Sequence, residues 1–115
     1  HLASSAASDV YKRQILILLS DQDAKKKGVK AKFFGIDSST HTGAAILSKR
    51  NKSPIIYVSI TSKNNIYEVE FVKINTSGSI NDIVQQYTSE IEKTIINNPE
   101  QYFWFHKRWK SVKAY

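Results

Sequence analysis

A chain of 115 residues is enough for one domain and too short for several, and its formal charge of +7 points to anionic partners: nucleic acid, acidic protein or phosphate-bearing lipid. The absence of cysteine excludes a disulfide framework, a thiolate nucleophile and a thiolate metal site. The longest apolar run, Ile15-Leu16-Ile17-Leu18-Leu19, is strand-sized and falls well short of the roughly 20 residues that span a bilayer, so any membrane contact by these residues is expected to be peripheral.

Residues 1–14 are rich in Ala and Ser, end in Val-Tyr-Lys-Arg-Gln and have no sustained period; they read as a non-native leader or a disordered terminus, with the domain taken as residues 15–115. The run 15–19 expects cover on both faces, as a strand of a parallel sheet does. Asp21-Gln22-Asp23 follow at its carboxyl end, where open α/β sheets place ligand-binding groups; the ordinary alternative is turn chemistry, with Asp side chains accepting from nearby N–H groups. Val29-Lys30-Ala31-Lys32-Phe33-Phe34-Gly35 alternates into a short strand that stops at glycine. Ser38, Ser39 and Thr40 then offer caps for a helix reaching about Lys49, with Lys49 and Arg50 where the helix dipole favours cations. The hydroxyl-lined start of that helix could hold a phosphate, although such hydroxyls more often only cap.

Ser53-Pro54 breaks the chain before a buried-looking strand over 55–60, and Ser62-Lys63-Asn64-Asn65 has the composition of a hairpin turn. The next strand, 66–74, alternates: Tyr67, Val69 and Phe71 face one way and Glu68 and Glu70 the other, which predicts one wet face. Ser79 and Asp82 make a capping pair for a helix through about Asn97, whose Ile80, Ile83, Val84, Tyr87, Ile91 and Ile95 fall on one stripe. Asn98, Pro99 and Gln101 signal one more helix start. At helical spacing Tyr102, Phe105 and Trp109 share one face, and Phe103, Lys107 and Lys110 another. Five aromatics in the eight positions from Tyr102 to Trp109, run together with cations, suit a lipid–water boundary; the ordinary alternative is a closing helix with its aromatics in the core. The order β-β-α-β-β-α-α predicts an α/β fold with a partly parallel mixed sheet flanked by helices and ending in a hairpin.

No complete catalytic set stands out. His1, His41 and His106 lack metal-ligand spacing, there is no glycine-rich phosphate loop and no serine elbow, and neither metal nor cofactor is expected. The basic residues cluster at the chain end rather than along a sheet face, which argues against nucleic acid.

Four stretches, Ile17-Leu18-Leu19-Ser20-Asp21-Gln22-Asp23, Gly28 through Gly35, Thr40-His41-Thr42-Gly43-Ala44-Ala45-Ile46-Leu47, and Pro99 through Lys110, occur in the order and approximate spacing of the bacterial lipid A late acyltransferases, the lauroyl and myristoyl transferases of the lysophospholipid acyltransferase superfamily. The chain resembles the carboxyl-terminal third of such an enzyme, in a glycerolipid-acyltransferase-like fold. The resemblance implies transfer of an acyl chain from acyl carrier protein to a hydroxyl of a lipid A precursor, at the cytoplasmic face of the bacterial inner membrane. It implies that Asp21 and Gln22 line the cleft, that Phe33, Phe34 and Gly35 shape an acyl or acceptor wall, and that Thr40 and Thr42 open the adjoining helix toward it. Arg108, Lys107 and Lys110 would meet phosphates of the precursor or of the membrane, or the acidic surface of acyl carrier protein, with Trp104 and Trp109 at the membrane. Lys107 stands where many relatives carry arginine, keeping charge and losing bidentate geometry. The family's His-x-x-x-x-Asp/Glu signature is missing: the positions five after His1, His41 and His106 are Ala6, Ile46 and Ser111. The expectation is therefore a carboxyl-terminal piece inactive alone, with a non-catalytic module binding an anionic lipid or membrane surface as the alternative.

Overall fold

The computed structural model of the chain describes residues 14–112. Residues 1–13 of the expected leader, and residues 113–115, lie outside the described residues. The elements are β1 (Val29–Phe33), β2 (Ile36–Thr40), α1 (Gly43–Asn51), β3 (Ile55–Lys63), β4 (Ile66–Ile74) and α2 (Ile80–Asn97), with single 3-10 turns at Lys25–Lys27, Pro99–Gln101 and Lys110–Val112.

The four strands pair as two separate antiparallel hairpins, β1 with β2 and β3 with β4. The fold is α/β, but the partly parallel mixed sheet is not formed: no parallel pair occurs among the described residues. The reason begins at residues 15–19, which make no strand. A strand exists through a neighbour's N–H and C=O groups. This run meets none among the described residues, and Ile15, Ile17 and Leu19 are almost fully exposed.

The second departure is β2. Phe34 (φ 52°) and Gly35 (φ 76°) are both left-handed. They form a two-residue hairpin turn of the kind whose twist matches that of its strands. Gly35 therefore turns the chain back on itself, and Ser38, Ser39 and Thr40 enter a strand instead of capping a helix. Lys32 and Asp37, opposite one another, form an ion pair at 2.8 Å. The Ser38 hydroxyl donates to the Ala31 carbonyl at 3.0 Å, which lets a polar residue sit fully buried. Helix α1 begins only after Thr42, whose side chain makes no cap bond. Asn64 and Asn65 (φ 52° and 62°) repeat the same turn between β3 and β4.

Helix α2 carries the core. Ser79 Oγ accepts from the Asp82 N–H at 3.1 Å and Asp82 returns the bond to the Ser79 N–H at 3.0 Å, which starts the helix as its spacing predicts. Its Ile83, Val84 and Tyr87 meet Ala31 of β1, Ala45 of α1 and Ile74 of β4. Tyr87 also donates its hydroxyl to the His41 carbonyl, tying α2 to the entry of α1, and burial pushes its phenol pKa up.

Glutamine amides close the open edges. In a two-residue hairpin the closing pair is hydrogen-bonded, so the residue before it turns its N–H and C=O outward. Those residues are Lys32 in β1 and Ser62 in β3. The Gln85 amide takes the Lys32 N–H (2.7 Å) and gives to its C=O (2.9 Å). Gln101 does the same to Ser62, both bonds at 2.8 Å. Each amide acts as one peptide of an extra strand.

The expectation of one wet face on β4 is half met. The Glu68 and Glu70 side is wet, and Tyr67, Val69 and Phe71 on the other side are exposed as well. Among the described residues no helix is long and apolar enough to cross a membrane.

With α2 as the core element, Ile83→Ala should cost about 2–5 kcal/mol through lost burial and a cavity. The same change at Ile96, on the exposed side of the same helix, should stay within about 0.5 kcal/mol. Urea unfolding of both variants checks this; equal costs would mean that the helix does not face the core as described.

Candidate functional site

The aromatic segment after α2 is not a helix. Beyond the single turn at Pro99–Gln101 the backbone is extended at Tyr102 (φ −86°, ψ 141°) and then proceeds by tight turns, with the His106 N–H on the Phe103 carbonyl (3.2 Å) and the Lys110 N–H on that of Lys107 (3.1 Å). Two causes are visible. Gln101, read as a helix-start residue, spends its amide on Ser62. The rings, which are mediocre helix formers, are instead drawn onto the β1–β2 hairpin.

Phe33 is the centre of that packing. It is 1% exposed, and the rings of Phe34, Trp109 and Tyr102 lie 4.8, 5.3 and 6.3 Å away. The Trp109 indole N–H donates to the Phe33 carbonyl at 3.1 Å. Trp104 stacks edge-on against Tyr102 at 4.8 Å and donates its N–H to the Pro99 carbonyl at 2.6 Å.

Arg108 closes the site. It is 2% exposed, with its guanidinium carbon 5.2 Å from the Phe33 ring centre. One terminal nitrogen donates to the Ser39 carbonyl at 2.7 Å and the other to Thr40 Oγ1 at 2.8 Å. The fork of donors thus fits β2, and the ring face beneath it is attractive to a cation. A buried cation is tolerated only when its donors are used in this way.

A second clasp lies beside it. Asp23 receives the Ser111 hydroxyl (2.6 Å) and N–H (3.2 Å) on one oxygen and the Lys25 N–H (3.1 Å) on the other. The Asp23 N–H donates to His106 Nε2 at 2.9 Å. Burial acts to raise the Asp23 carboxyl, but the Ser111 and Lys25 hydrogen bonds, aided by the Arg108 charge, outweigh it and hold the pKa below its ordinary value. His106 accepts through Nε2, so its neutral form carries the proton on Nδ1. The arrangement fastens the chain end to the loop before β1. It does not align a base with a nucleophile.

The candidate residues therefore separate. Phe33, Thr40, Arg108 and Trp109 come together, all facing inward. Arg108 and Trp109, expected at a phosphate and a membrane, point instead into the protein, because the segment that carries them wraps a hairpin instead of standing off as a helix. Asp21 and Gln22 are exposed on the irregular stretch before Lys25–Lys27, Phe34 and Gly35 sit at the hairpin tip, and Thr42 precedes α1 half-buried. Lys107 and Lys110 are exposed. Trp104 is half exposed, while Phe103 and Phe105, their rings 5.9 Å apart, are the most open aromatics of the segment. Sequence reasoning missed Ser39, His106 and Ser111, whose partners at the site lie 69 to 88 positions away; it named Asp23 only as turn or cleft chemistry. Gly28 was a readable signal: a Cβ there would stand 2.6 Å from the Thr40 carbonyl and from Ser39 Oγ, so this loop packs directly on β2. Among the described residues no group of three His, Cys, Asp or Glu could hold a metal ion.

No curated protein matches the chain. Residues 5–111 match the model of a family described as bacterial lipid A biosynthesis acyltransferase.

Because its pKa is depressed in the folded state, Asp23 contributes stability that is present above the unfolded value, 3.8, and is lost as pH falls through the folded one. Asp23→Asn should lower the melting temperature near neutral pH, and its gap from the parent chain should shrink as pH drops from about 5 to about 3. Thermal unfolding followed across that range checks it; a gap independent of pH would contradict the charged clasp.

Proposed function

Because the chain belongs to the bacterial lipid A biosynthesis acyltransferase family, we propose that it supplies part of the site at which an acyl chain passes from acyl carrier protein to a hydroxyl of a lipid A precursor. The family match over residues 5–111, which spans every residue of the Phe33–Thr40–Arg108 arrangement, carries this reading. The exposed Asp21 and Gln22, with Phe34 and Gly35 at the hairpin tip, are the groups proposed to meet substrate. Thr40 and Thr42 stand at the approach to α1. Arg108 works as a positioning residue: it fixes Thr40 and Phe33, and the phosphate contacts pass to the exposed Lys107 and Lys110.

Acyl transfer of this kind needs a base to take the acceptor's proton as its oxygen attacks the thioester. In this chain no histidine is followed at the fifth position by a carboxylate, and His106 Nε2 is occupied by the Asp23 N–H. The 115 residues are therefore proposed to bind and not to catalyse alone. Their proposed location is the cytoplasmic face of the inner membrane, held peripherally.

A second reading, a non-catalytic module for anionic lipid surfaces, is favoured by Phe103 and Phe105 standing open beside Lys107 and Lys110. The two readings part in one assay. The purified chain is mixed with labelled acyl–acyl carrier protein and with neutral vesicles, anionic vesicles, or neutral vesicles carrying the lipid A precursor. The first reading predicts precursor-dependent retention, weakened several-fold by Lys107→Gln with Lys110→Gln, and no acylated product above background. Acylated product at catalytic rates would sink the claim that the chain lacks a base. Retention by anionic vesicles without precursor that is abolished by Lys107→Gln with Lys110→Gln would favour the second reading.

A further inference from the structure

The β3–β4 hairpin separates its side chains by charge. Cross-strand partners share a face, so the register puts Ile56, Val58 and Ile60 of β3 together with Tyr67, Val69 and Phe71 of β4. All six are exposed; Ile60 is 65% and Phe71 70% open. The opposite face looks toward α2, through Ile55 and the Tyr57 hydroxyl bonded to Thr94 at 2.8 Å, and it carries both acids of the hairpin, Glu68 and Glu70. The apolar face carries no acid, and the charged residue in its register is Lys73, opposite Ile56.

At that end the strip runs into an open cleft of about 510 Å³, lined by Lys49, Lys52 and Lys73 with Ser53 and Thr76. None of the three lysines is in an ion pair among the described residues. The facing carboxylate is Asp82, which already accepts the Ser79 N–H and is held low by that bond, with Lys49 adding to the effect. Lys52 is fixed in the left-handed conformation that ends α1, its N–H on the Ser48 carbonyl. Three cations thus border one end of an acid-free apolar strip.

We propose that this face docks on an anionic lipid bilayer, with the six apolar side chains at the headgroup–acyl boundary and Lys49, Lys52 and Lys73 on lipid phosphates. Charge argues against a second copy of the chain as the occupant, because the face carries no acid to receive the lysines of a partner with the same formal charge of +7. An anionic bilayer supplies the missing negative charge and rewards the combination of apolar edge and cations. The docking surface is distinct from the aromatic chain end, and it holds whether or not the chain takes part in acyl transfer.

The test is co-sedimentation of the chain with vesicles of phosphatidylcholine alone and of phosphatidylcholine with phosphatidylglycerol. Binding is expected only with the anionic lipid. Ile60→Glu with Phe71→Glu should weaken it at least tenfold, and Lys49→Gln, Lys52→Gln and Lys73→Gln together on the order of 100-fold. Circular dichroism melts verify that the variants fold, and the lysine variant, altered only at the surface, keeps the test decisive if the hairpin variant does not. Loss of binding in Lys107→Gln with Lys110→Gln alone would move the contact to the chain end and overturn the proposal. So would unchanged binding in the hairpin and lysine variants, or a lipid-independent dimer abolished by Ile60→Glu with Phe71→Glu.

Discussion

Everything at the proposed site depends on one buried cation. Arg108 reaches across 68 and 69 positions of sequence to bind Thr40 Oγ1 and the Ser39 carbonyl, lying over Phe33 as it does so. The energetics are one-sided: a guanidinium whose terminal nitrogens are both bonded is tolerable inside a protein, and one stripped of those bonds is not. The constraint therefore works in both directions. It requires β2 to be a strand, since only that backbone presents the Ser39 carbonyl and Thr40 hydroxyl side by side to the same fork. It also requires the chain end to leave the helix and fold over the hairpin, which brings Trp109 and Tyr102 onto Phe33 and Ser111 onto Asp23.

The site is consequently built from both ends of the described chain, while the middle supplies a frame. Helix α2 holds the two hairpins through its apolar stripe and grips an open strand edge with the Gln85 amide. Neither hairpin is large enough to be stable by itself. Two of the surfaces that their assembly around α2 and the Arg108 clasp leaves open matter here: the hairpin tip with the loop at Asp21 and Gln22, and the outer face of β3–β4. The first carries the family's proposed chemistry, and the second an acid-free apolar strip bordered by lysines.

How far the sequence could be read follows from the range of each determinant. The capping box of Ser79 and Asp82, the apolar stripe of α2 and the extent of β4 are set by residues within a turn or a strand of one another, and each is found where the pattern puts it. Gly35 is ambiguous at short range, because a glycine ends a strand as readily as it turns a hairpin. The choice lies with Phe34 adopting positive φ and with Arg108 far downstream. The run at 15–19 has the composition of a strand but no partner among the described residues, and composition does not supply one. At the site, Phe33, Thr40 and Arg108 were legible as important, and their direction was not: an arginine among aromatics reads as a surface cation until the hairpin it penetrates is seen. Asp23, His106 and Ser111 form a clasp that no local spacing encodes.

Amide hydrogen exchange tests the Arg108 clasp most directly. The N–H groups of Asp23, Ala24 and Ser111 are bonded to His106, the Ser39 carbonyl and Asp23 in turn, so they should be protected together in the parent chain. Arg108→Lys keeps the charge and removes the fork. It should raise exchange at all three amides by a similar factor, on the order of tenfold or more, and leave those of α2 unchanged. Exchange at Asp23 and Ser111 near the unprotected rate in the parent chain, or protection there that survives Arg108→Lys intact, would contradict the account.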